Sequence, residues 1–310
     1  MEEHREAVKQ SVSKFLRSES LYEMVPVSGQ VLVLEKGLSL LDVIELTLAH
    51  RQEAALVWDP DSLGFVGVIT DRDLLEMIIS QYDEDDMHLE ESQIITKLKS
   101  KTLATWREET NNSQLILVNS DDNLLSATQL LKNHRLHRIP ILDQKQNLVI
   151  GILSMESVLK FFVENYVADS SLFDQFLRDF KLGTSSHIIT SPADASLIQA
   201  LRVMASHKLS SLPLLDENDK ILGVLFLSDI PQIIRSGYYL NPQTPVLSVL
   251  ETVNESGDYG VSRFGILTDE DSMKSLIQKL AASPERKLYK LNENQLELIV
   301  TESDLFGYFI

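Results

Sequence analysis

The sequence predicts a mixed α/β fold built from four copies of one unit. The first observation is a repeat: similar polar turns recur at Asp59, Asp143, Asp216 and Asn292, at intervals of 84, 73 and 76 residues. The second is that each turn lies between two short apolar runs, which is the pattern of a β-hairpin. The third is that an apolar run and a segment with hydrophobic residues at three- and four-residue spacing precede each hairpin, which indicates a strand and a helix.

Each unit is therefore predicted to run strand, helix, strand, strand, helix. The last helix of every unit begins beside an acid or a hydroxyl, 12 to 14 residues after the turn. These four residues are Asp73, Ser157, Asp229 and Asp304. Acids and hydroxyls are common at helix N-termini, so their positions agree with the predicted start of a helix.

The first helix of each unit is predicted from its capping residues and its apolar stripe. In the second copy, Asp121 or Asp122 is expected to cap the helix. Four leucines are expected to form its buried stripe: Leu124, Leu125, Leu130 and Leu131. In the third copy, the pair Ser191 and Pro192 is expected to open the helix, because proline is tolerated in the first turn.

A single unit buries little surface, so the four are expected to form two paired modules. The acidic segment 82–93 is predicted to be a solvated linker or helix end, because its acids lack the spacing of an EF-hand calcium loop. The predicted boundaries are an N-terminal extension over 1–21 and repeats over 22–100, 101–175, 176–242 and 243–310.

Composition excludes several classes of function. The chain has 28 Lys and Arg against 46 Asp and Glu, a formal charge of −18, which opposes broad binding to nucleic acid or an anionic membrane. It has no cysteine, so disulfides, cysteine-ligated metals and thiol nucleophiles are excluded. No P-loop, G-x-S-x-G or H-E-x-x-H motif is present, so no catalytic activity is expected. Without a signal-like or membrane-spanning apolar run, the cytoplasm or the nucleus is the expected location.

Five short motifs accompany the repeats. They are Tyr22-Glu23-Met24-Val25-Pro26, Thr105-Trp106-Arg107-Glu108, Leu136-His137-Arg138-Ile139-Pro140, Leu182-Gly183-Thr184 and His207-Lys208-Leu209-Ser210-Ser211-Leu212-Pro213. With the repeat pattern, they make the unit resemble the CBS domain and a tandem pair resemble a Bateman module. The chain from about residue 10 onward resembles the gamma regulatory subunits of the AMP-activated protein kinase family.

This resemblance implies two Bateman modules in a disc that senses adenine nucleotides without catalysis. AMP, ADP or ATP would be the regulatory ligands, and no metal would be required. The implied partners are an alpha-type catalytic subunit and a beta-type scaffold subunit of a Ser/Thr kinase. Two alternatives stay open: an interaction subunit of the same fold with few or no functional nucleotide sites, and a CBS regulator of another target, such as a transporter or a phosphatase.

The resemblance also implies residues for the ribose and adenine side of each site. These are Thr70 and Asp73 in the first repeat, Thr184, Ser210 and Asp229 in the third, and Thr301, Ser303 and Asp304 in the fourth. In the second repeat Ser157 stands at the position of the acid, which the family also lacks there, and in the third Phe226 replaces a hydroxyl of the family. The alternative interpretation of Asp73 is a helix N-cap without a ligand.

The implied phosphate side consists of three basic pairs. They are His137 and Arg138, His207 and Lys208, and Arg286 and Lys287, the last with an alignment that could slip by one residue. The run around His137 also includes Lys132, His134 and Arg135, and its alternative interpretation is a solvated helix end. A metal site at His134 and His137 would lack a third ligand. In the first repeat Glu53 replaces a basic residue, with Arg51 nearby.

Overall fold

The computed structural model describes four three-stranded sheets, one for each predicted repeat. In every sheet the middle strand pairs in parallel with the strand before it and antiparallel with the strand after it. A helix separates the two parallel strands, as such a crossover requires. The predicted mixed α/β fold is therefore confirmed. The described residues are 2–25, 31–50, 54–82, 90–110, 115–146, 148–167, 170–179, 181–253 and 263–310.

The strands are short and follow the predicted hairpins. In chain order they are β1 (Leu32–Glu35), β2 (Ala54–Asp59), β3 (Gly64–Thr70), β4 (Val118–Asn119), β5 (Arg138–Asp143), β6 (Leu148–Ser154), β7 (Ser191–Pro192), β8 (Ser211–Leu215), β9 (Ile221–Phe226), β10 (Gly265–Leu267), β11 (Lys287–Asn292) and β12 (Gln295–Thr301).

Helices alternate with these strands, and short 3₁₀ turns connect several of them. The α-helices are α1 (Glu2–Ser18), α2 (Leu40–His50), α3 (Asp71–Ile79), α4 (Glu91–Ser100), α5 (Leu103–Glu109), α6 (Leu124–Asn133), α7 (Met155–Asn165), α8 (Leu197–Ser206), α9 (Ile230–Arg235), α10 (Val246–Val253), α11 (Met273–Ala282) and α12 (Glu302–Phe309). Of these described helices, none is long and apolar enough to cross a membrane.

The chain divides into two compact units that join alternate repeats. One unit contains 31–115 and 189–259 and therefore combines the first and third repeats. The other contains 1–30, 116–188 and 260–310 and combines the second and fourth. Each unit has its own core of buried aliphatic and aromatic side chains. The tandem modules that the resemblance implies stay a prediction.

In the unit of the first and third repeats, each repeat is completed by a segment that precedes a different repeat in the sequence. Helix α5 precedes the second repeat but packs on the first, where the Leu103 N–H donates to the Leu38 carbonyl at 2.8 Å. Helix α10 precedes the fourth repeat but packs on the third, where the Val246 N–H donates to the Ala195 carbonyl at 2.9 Å. Trp106 of α5 is fully buried there, which shows that this segment belongs to the core.

The other unit shows the same exchange. The segment before the first repeat packs on the second, where the Leu21 N–H donates to the Asp122 carbonyl at 2.9 Å. The segment before the third repeat packs on the fourth, where the Leu177 N–H donates to the Asp271 carbonyl at 2.8 Å. Tandem neighbours therefore exchange their leading segments throughout the described chain.

Two predicted helix starts are wrong. Helix α6 is capped by Asn123, whose side-chain oxygen accepts from the Ser126 N–H at 3.0 Å. Asp122 instead accepts from the Asn119 N–H at 2.8 Å, which leaves the cap to the next residue. Of the four predicted stripe leucines, Leu130 is only half-buried.

Helix α8 also begins later than expected. Ser191 and Pro192 form strand β7, which pairs in parallel with β8, so their backbone is extended. The helix starts at Leu197, after its cap Ser196, because a turn closed by the Ala195 N–H and the Pro192 carbonyl comes first. Proline is compatible with this position because strand edges tolerate a missing N–H donor.

Candidate functional site

One rung of the strand ladder is common to all four sheets. The first residue of the middle strand lies opposite the residue that caps the last helix. The four pairs are Ala54 with Thr70, Arg138 with Ser154, Ser211 with Phe226, and Lys287 with Thr301. Lys287 therefore occupies the place of Arg138, so the pair Arg286 and Lys287 corresponds to His137 and Arg138 without a slip.

In the first and fourth repeats, the predicted ribose acids bind the strand end that precedes them. Oδ2 of Asp304 accepts hydrogen bonds from the Thr301 N–H at 2.9 Å and from its hydroxyl at 2.8 Å. Oδ2 of Asp73 accepts the same two bonds from Thr70, both at 2.7 Å. The structure thus brings each predicted Thr–Asp pair together.

The third repeat keeps only part of this arrangement. Oδ2 of Asp229 accepts from the Phe226 N–H at 2.8 Å, and the Phe226 side chain is fully buried. In the second repeat Ser157 takes the position of the acid and accepts from the Ser154 N–H at 3.0 Å. All four contacts are helix caps, and such a cap uses one oxygen of a carboxylate. Both bonds to Asp304 use Oδ2, so capping and ribose binding are compatible for this acid.

The basic run of the second repeat leads from the end of α6 into β5. His137 is exposed, and Arg138 is half-buried as the first residue of its strand. Lys132 donates its Nζ proton to the main-chain oxygen of Ile310 at 3.1 Å, so it helps to hold the fold. Within the described chain, no three acidic or histidine side chains are grouped so that they could hold a metal ion.

The basic pair of the fourth repeat is held by acidic and carbonyl groups. Nη2 of Arg286 donates to Oε1 of Glu156, in the first turn of α7, at 2.6 Å. Its Nη1 donates to the Ser283 carbonyl. The Lys287 side chain is buried, and its Nζ lies 3.4 Å from the Glu285 carbonyl.

Glu302, the first residue of α12, belongs to the same group of charges. Burial raises the pKa of its carboxyl, and Glu156 adds a smaller rise. Lys287 and Arg286 act in the opposite direction and favour the ionised form. Glu302 thus interacts electrostatically with charged side chains of both the second and the fourth repeats.

Thr184 lies beside the fourth repeat, although the sequence predicts it for the site of the third. Its N–H donates to the Ile299 carbonyl at 2.8 Å, and its carbonyl accepts from the Ile299 N–H at 3.0 Å. This difference follows from the exchange of leading segments. Ser303, predicted for the fourth repeat, is exposed in the first turn of α12.

The predicted polar residues of the third repeat follow α8. His207 is exposed, with Nδ1 at 3.0 Å from the Ser206 hydroxyl. Lys208 is exposed and has a left-handed backbone, with φ 54°. Ser210 is half-buried, and its carbonyl accepts from the Leu227 N–H at 3.0 Å.

In the first two repeats, sequence reasoning missed the residue that lies two positions after the cap of the last helix. In the first repeat this residue is Arg72, whose Nη2 donates to the carbonyls of Lys208 and Leu209 at 3.0 and 3.2 Å. In the second repeat it is Glu156, which binds Arg286 at the corresponding turn. The alignment of the repeats could have indicated this position, because it lies two residues after the capping residue in each copy.

Arg107 is a second residue that sequence reasoning missed, although its motif was noted. Nη2 donates to the Val66 carbonyl at 2.9 Å, and the guanidinium lies where a Cβ on Gly67 would stand. Burial lowers its pKa, and Asp73 acts in the opposite direction. Among the described residues, its Nη1 has no hydrogen-bond partner.

Glu53, Arg51 and most of the acidic segment, 83–89, lie outside the described residues.

Comparison with known proteins decides the family. A family model for the CBS domain matches residues 23–80, 109–164 and 177–236, which together exceed half of the chain. The chain belongs to the CBS-domain family. A crystal structure of a candidate archaeal γ-AMPK homologue from Methanocaldococcus jannaschii has the same fold, with a TM-score of 0.68, 13% identity and coverage of 94% of this CBS protein and 100% of that chain.

Curated relatives of this CBS protein resemble it along its whole length. The 5'-AMP-activated protein kinase subunit gamma of Dictyostelium discoideum is 26% identical over 325 residues, which cover 100% of this chain and 54% of the relative. The chain thus spans about half the length of that relative. The subunit of the same name from Saccharomyces cerevisiae is 22% identical over 309 residues, which cover 97% of this chain and 93% of the relative.

Proposed function

We propose that this CBS protein is a non-catalytic, gamma-type regulatory subunit of a Ser/Thr protein kinase and that it binds AMP, ADP or ATP. Its proposed partners are an alpha-type catalytic subunit and a beta-type scaffold subunit. The relatives named as gamma subunits of the 5'-AMP-activated kinase support this proposal. The proposed location is the cytoplasm or the nucleus, which agrees with a chain that has no cysteine.

The observation that carries the proposal is the rung at the end of the fourth sheet. Thr301 and Asp304 supply a hydroxyl and a carboxylate there, and Lys287 lies opposite Thr301 with Arg286 before it. A carboxylate can accept hydrogen bonds from ribose hydroxyls, and cations form strong charge-assisted bonds with phosphate. An adenine nucleotide needs both chemistries, and this rung combines them.

Regulation then follows from the different charges of the ligands. AMP and ATP share adenosine but differ in the number of phosphate charges that meet the basic residues. A ligand shifts a conformational equilibrium only by its difference in affinity for the two states. Exchange of AMP for ATP would therefore change the balance of states of the kinase complex through these contacts.

A second function, that of an interaction subunit with few nucleotide sites, is favoured by two observations. The buried Phe226 ring replaces a hydroxyl at the third site. Glu156 already binds the guanidinium of Arg286 at the fourth. Both features reduce the polar groups that a nucleotide could use.

Reconstitution distinguishes the two functions. The full chain is combined with alpha-type and beta-type kinase subunits, and phosphorylation of a peptide is measured while AMP is titrated. We expect activity to change saturably with AMP, and we expect this response to disappear when the chain is omitted. A stable complex whose activity is the same with AMP, ADP, ATP or no nucleotide would establish the interaction subunit instead.

Arg138→Gln is expected to weaken ATP binding about tenfold and to leave adenosine binding unchanged. Of these two ligands, only ATP has phosphates with which the guanidinium could pair. Asp229→Ala is expected to weaken both ligands, since the ribose is common to them. Calorimetric titration of each variant with ATP and adenosine measures these effects. Arg17→Gln, which removes an exposed charge in the last turn of α1, is the control for net charge. Equal losses of ATP and adenosine in the Arg138 variant would refute its assignment to phosphate.

A further inference from the structure

The guanidinium of Arg286 is paired with a carboxylate at a location where the proposed function needs an anion. Nη2 of Arg286 lies 2.6 Å from Oε1 of Glu156, and the side chains are 18% and 39% exposed. The two residues are 130 positions apart, so this pairing is a property of the fold. Carboxylate and phosphate oxygens are interchangeable partners for a guanidinium fork.

Acidic side chains accompany the two cations at this location. Glu156 comes from α7, Arg286 and Lys287 from the turn and strand after α11, and Glu302 from α12. Burial raises the pKa of the Glu302 carboxyl and so favours its neutral form, which leaves Glu156 as the carboxylate that pairs directly with Arg286. A phosphate that approaches Arg286 must displace Glu156 and then remain beside its negative charge, and like charges at a few ångströms repel.

The corresponding contact in the other unit uses the opposite charge. There Arg72, at the position equivalent to Glu156, donates to the carbonyls of Lys208 and Leu209. That contact joins a cation to main-chain oxygens, whereas Glu156 brings a carboxylate to the guanidinium of Arg286.

We infer that Glu156 is a specificity-determining residue that competes with phosphate for Arg286 and so makes the fourth-repeat site discriminate against phosphorylated ligands relative to adenosine. This inference rests on the proposed function, because it assumes that the site accepts an adenine nucleotide. The carboxylate holds the guanidinium in the unliganded protein, and the phosphate of AMP must exchange with it. Adenosine has no phosphate and binds without this exchange.

Calorimetric titration of the full chain with adenosine and AMP tests the inference in four proteins: the parent, Glu156→Gln, Glu164→Gln and the double variant Glu156→Gln/Arg286→Gln. Glutamine keeps the size of the side chain and removes its charge. Glu164 is exposed on the same helix, so its variant controls for net charge. We expect Glu156→Gln to bind AMP about 10- to 100-fold more tightly, the value of a charge-assisted hydrogen bond, with adenosine affinity unchanged.

The gain should be absent in Glu164→Gln and in the double variant, which lacks the guanidinium. An equal change of AMP and adenosine affinity in Glu156→Gln, or no change of either, would overturn the inference. Binding of AMP by the parent protein would still uphold the proposed function in that case. If none of the four proteins bound adenosine or AMP, the proposed function itself would fail, and a nucleotide-selecting role for Glu156 would fail with it.

Discussion

Asp304→Ala is expected to weaken binding of adenosine and AMP alike, by about 10- to 100-fold at the fourth-repeat site, because charge-assisted hydrogen bonds to the ribose hydroxyls are lost. The same substitution removes the carboxylate that accepts from the Thr301 N–H and hydroxyl. Loss of this helix cap should lower the free energy of unfolding by about 0.5–2 kcal/mol. Calorimetric titration measures the first effect, and thermal unfolding measures the second.

Asp122→Ala is a matched control for this prediction. Asp122 also accepts from the N–H of a residue three positions earlier, Asn119, at 2.8 Å, but it lies in the turn before α6 and away from the hairpin of its repeat. Its loss should reduce stability and leave ligand affinity unchanged. Equal nucleotide affinity in the Asp304 variant and the parent, with the expected loss of stability, would assign Asp304 to capping alone.

Gly183→Ala is expected to destabilise the unit of the second and fourth repeats by about 2–4 kcal/mol, from backbone strain and a steric clash. Gly183 has a φ of +85°, which L side chains rarely adopt. A Cβ there would stand 2.3 Å from the Ile299 carbonyl oxygen, which is backbone and cannot rotate away. The pairing of Thr184 with Ile299 should be lost with it.

Gly237→Ala separates the two causes of this effect. Gly237 also has a positive φ, +74°, but a Cβ there would meet nothing within 4 Å. Its substitution should therefore show only the backbone strain, about 1–2 kcal/mol. Chemical unfolding of both variants measures the difference. A Gly183 variant no less stable than the Gly237 variant would show that the close contact with β12 does not hold Thr184 in place.

The hairpins were predictable because they depend on neighbouring residues. The spacing from each turn to Asp73, Ser157, Asp229 and Asp304 fixed the start of the last helices, and the structure places a helix at each of them. Capping residues were less predictable, since several polar side chains compete within one turn. Asp122 binds the Asn119 N–H, and Asn123 therefore takes the cap.

The exchange of leading segments could not be predicted, because the four repeats are similar. The sequence contains no feature that assigns a leading segment to one copy of the repeat. Sequence order alone predicts that each leading segment packs on the repeat that follows it. For that reason Thr184 was placed with the third repeat and not beside Ile299 of the fourth. The contact of Glu156 with Arg286 joins residues from two repeats, and no local pattern indicates such a pair.

Titration calorimetry of the full chain with AMP is the most direct test of the central claim. This claim is that the strand ends bound by Asp73, Asp229 and Asp304 form sites for adenine nucleotides. The geometry predicts saturable binding of AMP, with at least one site per chain, and weaker binding when Asp304 is replaced by Ala. Absence of saturable heat with AMP at millimolar concentration, from a chain that unfolds cooperatively, would contradict the claim and leave a CBS protein that acts through its interactions alone.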